Sequence, residues 1–265
     1  MFPYADDTPS YSFPIWIVLL IAANVVIFIM TFSGGEKDYL QTTFAYGTIP
    51  ARFFQPSSKP LTVQDPTKEL GVEMVIDQKG MPSPFVTLFT SMFLHGGWLH
   101  LLGNVWFLWL FGDNIEDRLG KLLFPIFYIA CGVLAGVLHV VLLHSSMMPA
   151  IGASGAIAGV MGAYIYMFPR STVATLASFG FYITVIHIPS PIFLGLWFLL
   201  QFFGGLAGGA GSNVAFWAHV GGFVAGLMLA MLFSALGMVN WQPDDRGYRG
   251  RHERNLPSMW SGKRR

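Results

Sequence analysis

Long apolar runs constrain this chain more than any other feature. Residues 13–32 contain no charged side chain, and comparable apolar runs recur at 119–143, 191–206 and 214–236. A helix of about 20 such residues crosses the hydrocarbon core of a bilayer. Only 11% of the residues are charged, whereas a soluble domain has about 25%. The chain is therefore predicted to be an all-α polytopic membrane protein, since a barrel would show weak alternation instead.

Charge and cysteine content exclude several other classes of protein. The formal net charge of +1 carries no nucleic-acid signature, so no nucleic-acid partner is expected. The single cysteine, Cys131, cannot form an internal disulfide or build a Cys-ligated zinc site. Aromatic residues make up 15% of the chain, which excludes disorder over most of its length. We expect no metal and no other cofactor.

Six membrane spans divide the chain. They are predicted at 13–32, 97–111, 119–143, 154–168, 191–206 and 214–236. A short cytoplasmic N-terminus (1–12) precedes this membrane domain of residues 13–236, and a basic cytoplasmic tail (237–265) follows it. A long outer loop (34–84) joins the first two spans. The apolar, β-branched segment 172–190 is predicted to be an interfacial connection or part of a longer, broken fifth span.

The distribution of basic residues predicts the orientation in the membrane. Ten of the fifteen Lys and Arg residues fall in the predicted loop 113–121, at Arg170 and in the tail. Basic loops stay on the cytoplasmic side, so the C-terminus is predicted to be cytoplasmic, and six spans place the N-terminus there too. The basic tail fits attraction to anionic membrane lipid. The compact core and short termini lead us to expect a bacterial inner (plasma) membrane.

Four polar side chains are predicted to lie in one shallow layer of the membrane. His100 and Asn104 lie near the start of span two and share a helix face. Ser154 begins span four, and His219 lies near the start of span six. At about 1.5 Å of rise per residue, these side chains lie roughly 5 to 10 Å below the outer boundary. Polar groups inside a bilayer are costly, so each is a functional hypothesis.

Small residues favour close packing of spans four and six. They recur every fourth position on one face of each span, at Ser154, Ala158 and Gly162 and, after His219, at Gly222 and Gly226. Such stripes allow helix backbones to approach closely in membranes. Ser154 and His219 can therefore come within hydrogen-bonding distance.

This pairing has a chemical use in acyl transfer. A histidine base can take the serine proton and make the hydroxyl a nucleophile. Ser154 begins a helix, where free N–H groups favour an oxyanion, and His100 and Asn104 offer further donors. No Asp or Glu occurs between Arg118 and Pro243, so the prediction is a dyad. The same absence excludes an aspartyl protease, and the His-Glu-x-x-His pattern of zinc proteases is missing.

Four motifs in order carry a family resemblance. They are His-Gly-Gly-Trp-Leu-His-Leu-Leu-Gly-Asn at 95–104, Phe-Gly-Asp-Asn-Ile-Glu-Asp at 111–117, Gly-Ala-Ser-Gly at 152–155 and Ala-His-Val-Gly-Gly at 218–222. With them the chain resembles the rhomboid family of intramembrane serine proteases. The resemblance implies a six-transmembrane-helix bundle with a long first extracytoplasmic loop. It also implies endopeptidase cleavage of transmembrane protein substrates near the outer membrane boundary.

The resemblance also implies roles for individual residues. Ser154 and His219 would form the dyad and an acyl-enzyme, with His100, Asn104 and the Ser154 backbone as oxyanion donors. Family first loops often carry a Trp-Arg pair, which only Arg52 matches here. Some members place an aromatic ring under the catalytic histidine. Here that position is Ala158, so the sequence does not identify what orients His219.

Two other classes of function compete with the protease. A non-proteolytic membrane protein could bind transmembrane partners through the same fold, but it would have no need of Ser154 or His219. A small-solute transporter is disfavoured because intramembrane charges and an evident internal repeat are missing. The sequence identifies neither the physiological substrate nor the oligomeric state.

Overall fold

The computed structural model describes residues 2–55, 60–64, 73–207 and 215–241. The chain is mostly helical. The helices are α1 (Ile15–Ser33), α2 (Gly35–Tyr46), α3 (Pro84–Thr90), α4 (Trp98–Leu142), α5 (Ser154–Met167), α6 (Ser190–Leu206) and α7 (Phe216–Ala235). The strands are β1 (Phe2–Asp6), β2 (Leu61–Gln64), β3 (Glu73–Ile76), β4 (Thr172–Phe179) and β5 (Tyr182–Pro189). Beyond Trp241, the predicted basic tail lies outside the described residues.

Three of the described helices, α1, α4 and α7, are long and apolar enough to cross a membrane. Three shorter apolar helices occupy Pro84–Phe93, Ser154–Met167 and Ser190–Leu206. The prediction of a helical membrane protein is therefore confirmed at this level. The count of six spans stays a prediction.

Residues 113–119 of the predicted loop 113–121 are helical, so the boundary between spans two and three lies at Gly120. Helix α4 consists of two helical arms, 98–119 and 121–142, joined by a kink at Gly120, where φ is 73° and ψ is 170°. Glycine adopts this left-handed φ without a steric penalty. The arm before this bend, 98–119, is about 33 Å long at 1.5 Å per residue and matches the thickness of a bilayer core.

Glu116 explains why charged residues continue the helix instead of forming a loop. Its carboxylate is fully buried and accepts hydrogen bonds from the backbone N–H groups of Trp16 and Ile17, each at 3.1 Å. These N–H groups lie in the first turn of α1 and have no partner within the helix. Lys121 completes the cluster with an ion pair to Glu116 at 2.8 Å. The charges thus join α4 to the start of α1.

Residues 172–189 form a β-hairpin, and only Ser190 of the segment 172–190 belongs to helix α6 of the fifth span. Strands β4 and β5 pair in antiparallel register, and β1 adds to the other edge of β4, giving the order β1-β4-β5. The alternating Thr, Val and Ile side chains of β4 and β5 favour this extended pairing. The N-terminal residues, predicted only as a cytoplasmic segment, are thereby part of the fold.

The N-terminal strand runs along the first arm of α4. The indole N–H of Trp106 donates to the Pro3 carbonyl at 2.7 Å, and Asn114 Nδ2 donates to Asp6 at 2.9 Å. The hydroxyl of Tyr164, on α5, also donates to Asp6. Side chains of α4 and α5 therefore hold β1 against these two helices.

The long first loop contains helix α2 and the β2–β3 hairpin. The buried Arg52 donates through Nε to Gln78 Oε1 at 3.2 Å and through Nη2 to the Pro82 carbonyl at 2.7 Å. Arg52 therefore connects the middle of this loop to its C-terminal end. The residue that the resemblance matched has a structural role here.

Helices α5 and α7 are in backbone contact. A Cβ atom on Gly222 would collide with the carbonyl of Gly155, and one on Gly226 would collide with that of Gly159. The predicted small-residue face of α7 is confirmed. On α5 the contact lies at Gly155 and Gly159, one position beyond the predicted Ser154 and Ala158, whereas the predicted Gly162 does contact α7, at the Phe223 carbonyl.

Candidate active site

Ser154 is the first residue of α5, and backbone hydrogen bonds fix the segment before it. The Gly152 N–H donates to the Ser91 carbonyl at 2.8 Å, and Thr48 and Ala150 exchange two backbone hydrogen bonds of 3.0 and 2.8 Å. Gly152 has a φ of +125°, a backbone conformation that residues with a side chain rarely adopt. Together these contacts hold the N-terminus of α5 against the first loop.

The structure brings Ser154 and His219 together. His219 lies in the first turn of α7, and its Nε2 is 2.7 Å from Ser154 Oγ. The backbone contact between α5 and α7 at Gly155 and Gly222, directly beside the two residues, makes this distance possible. A serine hydroxyl and an imidazole at this distance can transfer a proton.

Gln201, on α6, contacts the other side of the His219 imidazole. Its Oε1 is 2.7 Å from His219 Nδ1. The Trp197 ring, one turn earlier on α6, lies 5.8 Å from the imidazole at an interplanar angle of 36°. Gln201 was not among the site residues predicted from the sequence. A signal existed, because Gln201 is the only amide side chain in the predicted span 191–206.

His100 points its Nε2 towards the serine. Its Nδ1 accepts a hydrogen bond from the Gly96 N–H at 3.1 Å, so a neutral ring carries its proton on Nε2. A Cβ atom built on Gly152 would lie 2.8 Å from His100 Nε2 and 3.5 Å from Ser154 Oγ. The space left by the missing side chain therefore lies between a hydrogen-bond donor and the nucleophile candidate.

Asn104 lies one turn beyond His100 on α4 and is buried. Its Nδ2 donates to the backbone carbonyl of His100 at 3.0 Å. One amide hydrogen is thus used within the helix, and the second remains as a candidate donor. Asn104 also fixes the turn of helix that carries His100.

A small cavity of about 30 Å³ opens beside Ser154. Its lining includes Ser154, Gly155, Thr48 and His139. The buried His139, to which the sequence analysis gave no role, has no hydrogen-bond partner for Nδ1 within the described part of the chain. The cavity has room for about one water molecule next to polar groups.

Comparison with known protein families gives a match that covers the candidate catalytic and oxyanion residues described above. The profile of the Rhomboid domain matches residues 82–236, which contain Ser154, His219, His100, Asn104 and Gln201. The matched region thus begins at the end of the long first loop and ends with α7.

Several rhomboid-named proteins are similar in sequence. RHOMBOID-like protein 6, mitochondrial, from Arabidopsis thaliana is 27% identical over 236 residues, which cover 84% of this chain and 70% of that protein. Rhomboid protease GluP from Bacillus subtilis is 33% identical over 151 residues, 57% of this chain but only 26% of GluP. Putative rhomboid protease YdcA from the same organism is 36% identical over 80 residues, 30% of this chain and 40% of YdcA.

These relatives come from different compartments and kingdoms. One is named as mitochondrial and comes from a plant, and another mitochondrial relative comes from Saccharomyces cerevisiae. The expectation of a bacterial inner membrane is therefore not supported by the comparisons. They support an integral membrane protein with membrane-spanning helices.

Proposed function

The chain belongs to the rhomboid family, because the family profile covers more than half of its length, and on this premise we propose that it is an intramembrane serine endopeptidase. The family resemblance drawn from the motifs is thereby confirmed. The observation that carries the proposed chemistry is the 2.7 Å distance between Ser154 Oγ and His219 Nε2. The proposed substrates are transmembrane proteins, cut near the outer membrane boundary.

Acylation would begin with proton transfer within the dyad. His219 Nε2 takes the proton of Ser154 as Oγ attacks the scissile carbonyl carbon. The carbonyl oxygen becomes an oxyanion in the space beside Gly152, where His100 Nε2–H and the Ser154 backbone N–H can donate to it. Asn104 is the further proposed donor. The intermediate then collapses: the C–N bond breaks, His219 gives its proton to the leaving amine, and an acyl ester remains on Ser154.

Deacylation would reverse these roles with water in place of the amine. The small cavity beside Ser154 can hold the attacking water. His219 takes a proton from this water as its oxygen attacks the ester carbon. The C–O bond to Ser154 breaks, the proton returns to Oγ, and the new carboxylic acid leaves.

The proposed depth of cleavage follows from the proposed topology. With both termini cytoplasmic, the six spans would place the starts of α4, α5 and α7 on the outer side. Ser154, at the first residue of α5, would then act in the outer part of the bilayer. A bacterial inner membrane stays a prediction from the sequence.

The proposal is tested with purified protein in liposomes that contain a single-span substrate. We expect the wild type to cleave, and Ser154→Ala and His219→Ala to lose at least about a thousandfold in rate, because either change removes the activated nucleophile. A serine-directed fluorophosphonate should label the wild type and not Ser154→Ala. Ser145→Ala, at an exposed serine, is the matched control. Cleavage that survives in purified Ser154→Ala would refute the mechanism.

A further inference from the structure

His219 has a second hydrogen bond that the dyad chemistry does not use. Its Nδ1 lies 2.7 Å from Oε1 of Gln201, while Nε2 faces Ser154 at the same distance. An amide oxygen can only accept a hydrogen bond, so Nδ1 must carry the ring proton. Nε2 then has a free lone pair directed at the serine hydroxyl. The contact therefore selects the tautomer that general-base catalysis requires.

Resting on the proposed function, we propose that Gln201 is the positioning residue of the catalytic histidine and completes a Ser154–His219–Gln201 triad. The sequence offers no carboxylate for this place, since no Asp or Glu occurs between Arg118 and Pro243. It also offers no aromatic ring one turn after the serine, where Ala158 stands. Gln201 supplies the orientation that both absences leave open.

An amide suits this position in a membrane better than a carboxylate does. A buried carboxylate would have to lose its hydration, which is costly inside a bilayer. The Gln201 oxygen gives the same acceptor without a net charge. It takes up no proton during the reaction. When His219 becomes positively charged, the N–H···O hydrogen bond becomes charge-assisted and strengthens.

The surroundings of Gln201 hold it towards the histidine. Trp197 precedes it by one turn on α6 and lies beside the imidazole, and Phe198 packs against Phe223 of α7 with ring centroids 4.7 Å apart. Gln201 itself is half-buried, whereas the adjacent Leu200 is 61% exposed and faces away from α7. Aromatic contacts between α6 and α7 therefore fix the face of α6 that carries the amide.

This role makes the reactivity of Ser154 depend on the position of α6 relative to α7. Gln201 is on a different helix from either dyad residue. A movement of α6 by about 1 Å away from α7 would lengthen the 2.7 Å contact beyond hydrogen-bonding distance. Nδ1 would then lose its acceptor, and the other tautomer would become accessible.

The test compares three variants in the full-length protein. Gln201→Met keeps the shape without the acceptor, Gln201→Glu keeps an acceptor, and Leu200→Ala is the control on the same turn. The main readout is the rate of Ser154 labelling by a small fluorophosphonate, which needs no substrate docking. We expect Gln201→Met to lower this rate and kcat by about tenfold to a hundredfold, with KM unchanged. We expect Leu200→Ala to match the wild type, and Gln201→Glu to recover only part of the rate, because its carboxylate accepts from Nδ1 but is costly to bury.

Rates are expressed per folded molecule, from the thermal unfolding of each variant, so that lost stability is not counted as lost reactivity. Wild-type labelling by Gln201→Met would overturn the inference, as would equal loss in Gln201→Met and Leu200→Ala. Either result can occur while Ser154→Ala and His219→Ala remain inactive, which leaves the proposed function standing. Activity in Ser154→Ala would instead refute the proposed function itself.

Discussion

Gly152 meets two requirements that a side chain at its position would violate. Its φ of +125° lies where L-residues are strained, and a Cβ atom would come within 2.8 Å of His100 Nε2. The same atom would occupy the space in which the proposed oxyanion forms. At the scale of one residue, the site therefore depends on an absent side chain as much as on Ser154 and His219.

Gly152→Ala should consequently slow catalysis strongly even though Ser154 and His219 remain. We expect kcat to fall by at least about a hundredfold to a thousandfold, the effect of losing oxyanion stabilisation. The measurement is the cleavage rate in liposomes. Gly195→Ala is the control, because Gly195 lies in α6 with open space around its Cβ position. Near-normal cleavage by Gly152→Ala would rule out the oxyanion position proposed here.

Contacts between whole elements set the distance between serine and histidine. Helices α5 and α7 approach until the backbone of Gly155 touches Gly222, and both dyad residues lie within about one turn of that contact. In membranes such close approach gives dispersion contacts that larger residues would prevent. The dyad distance is thus a property of the helix pair.

Gly222→Ala tests this dependence at the element scale. The added methyl would collide with the Gly155 carbonyl, so the helices must separate. We expect a loss of about 1 to 3 kcal/mol in stability, as for other overpacked sites, together with a large loss of Ser154 labelling. Thermal unfolding and fluorophosphonate labelling measure the two effects. Gly103→Ala, with open space at its Cβ, should change neither; an active, stable Gly222→Ala would contradict this account.

The attachment of β1 to the helices should depend on pH. Burial raises the pKa of Asp6 to about 7, and nearby Asp113 and Asp7 raise it further, against the lowering effect of the Tyr164 and Thr8 hydroxyls. The folded state therefore binds a proton that the unfolded state, with a pKa of 3.8, releases. Stability contributed by protonated Asp6 is present below about pH 4 and is lost as the pH rises through about 7.

Asp6→Asn should remove this pH dependence, because an amide resembles the protonated carboxyl. We expect the melting temperature of the wild type in detergent to fall between pH 5 and pH 8 relative to that of Asp6→Asn. Glu36→Gln, at an exposed carboxylate distant in sequence, serves as the comparison for a general loss of charge. If the melting temperatures of the wild type and of Asp6→Asn change in parallel across this pH range, Asp6 is ionised in the folded state and the prediction is wrong.

Across the whole molecule, the sequence predicted the features that depend on neighbouring residues alone. Apolar runs located the helices, and ordered motifs located the residues that now lie around Ser154. The break at Gly120 falls inside the predicted loop 113–121, but the helical state of residues 113–119 was not predicted, because charged residues near a membrane boundary resemble a loop. Glu116 and Arg118 find their partners far away, at Trp16 and Ile17 and at the Asn240 carbonyl. No local pattern shows such partners.

The hairpin and Gln201 were missed for related reasons. The pairing of β1 with β4 joins residues about 170 positions apart, such as Phe2 and Leu176. Gln201 belongs to none of the motifs that carried the family resemblance. This polar residue in an apolar span was therefore not predicted to belong to the site. Its role depends on how α6 is rotated, which the sequence pattern does not define.

The first strand also imposes an order in time on the assembly of the molecule. Residues Phe2–Asp6 leave the ribosome long before their partner β4, which begins only at Thr172. Helices α1 to α5 are synthesised while these residues wait, and long-range strand pairing forms slowly. Strand β1 is thus among the last parts to dock. An affinity tag fused before Phe2 would sit next to Trp106.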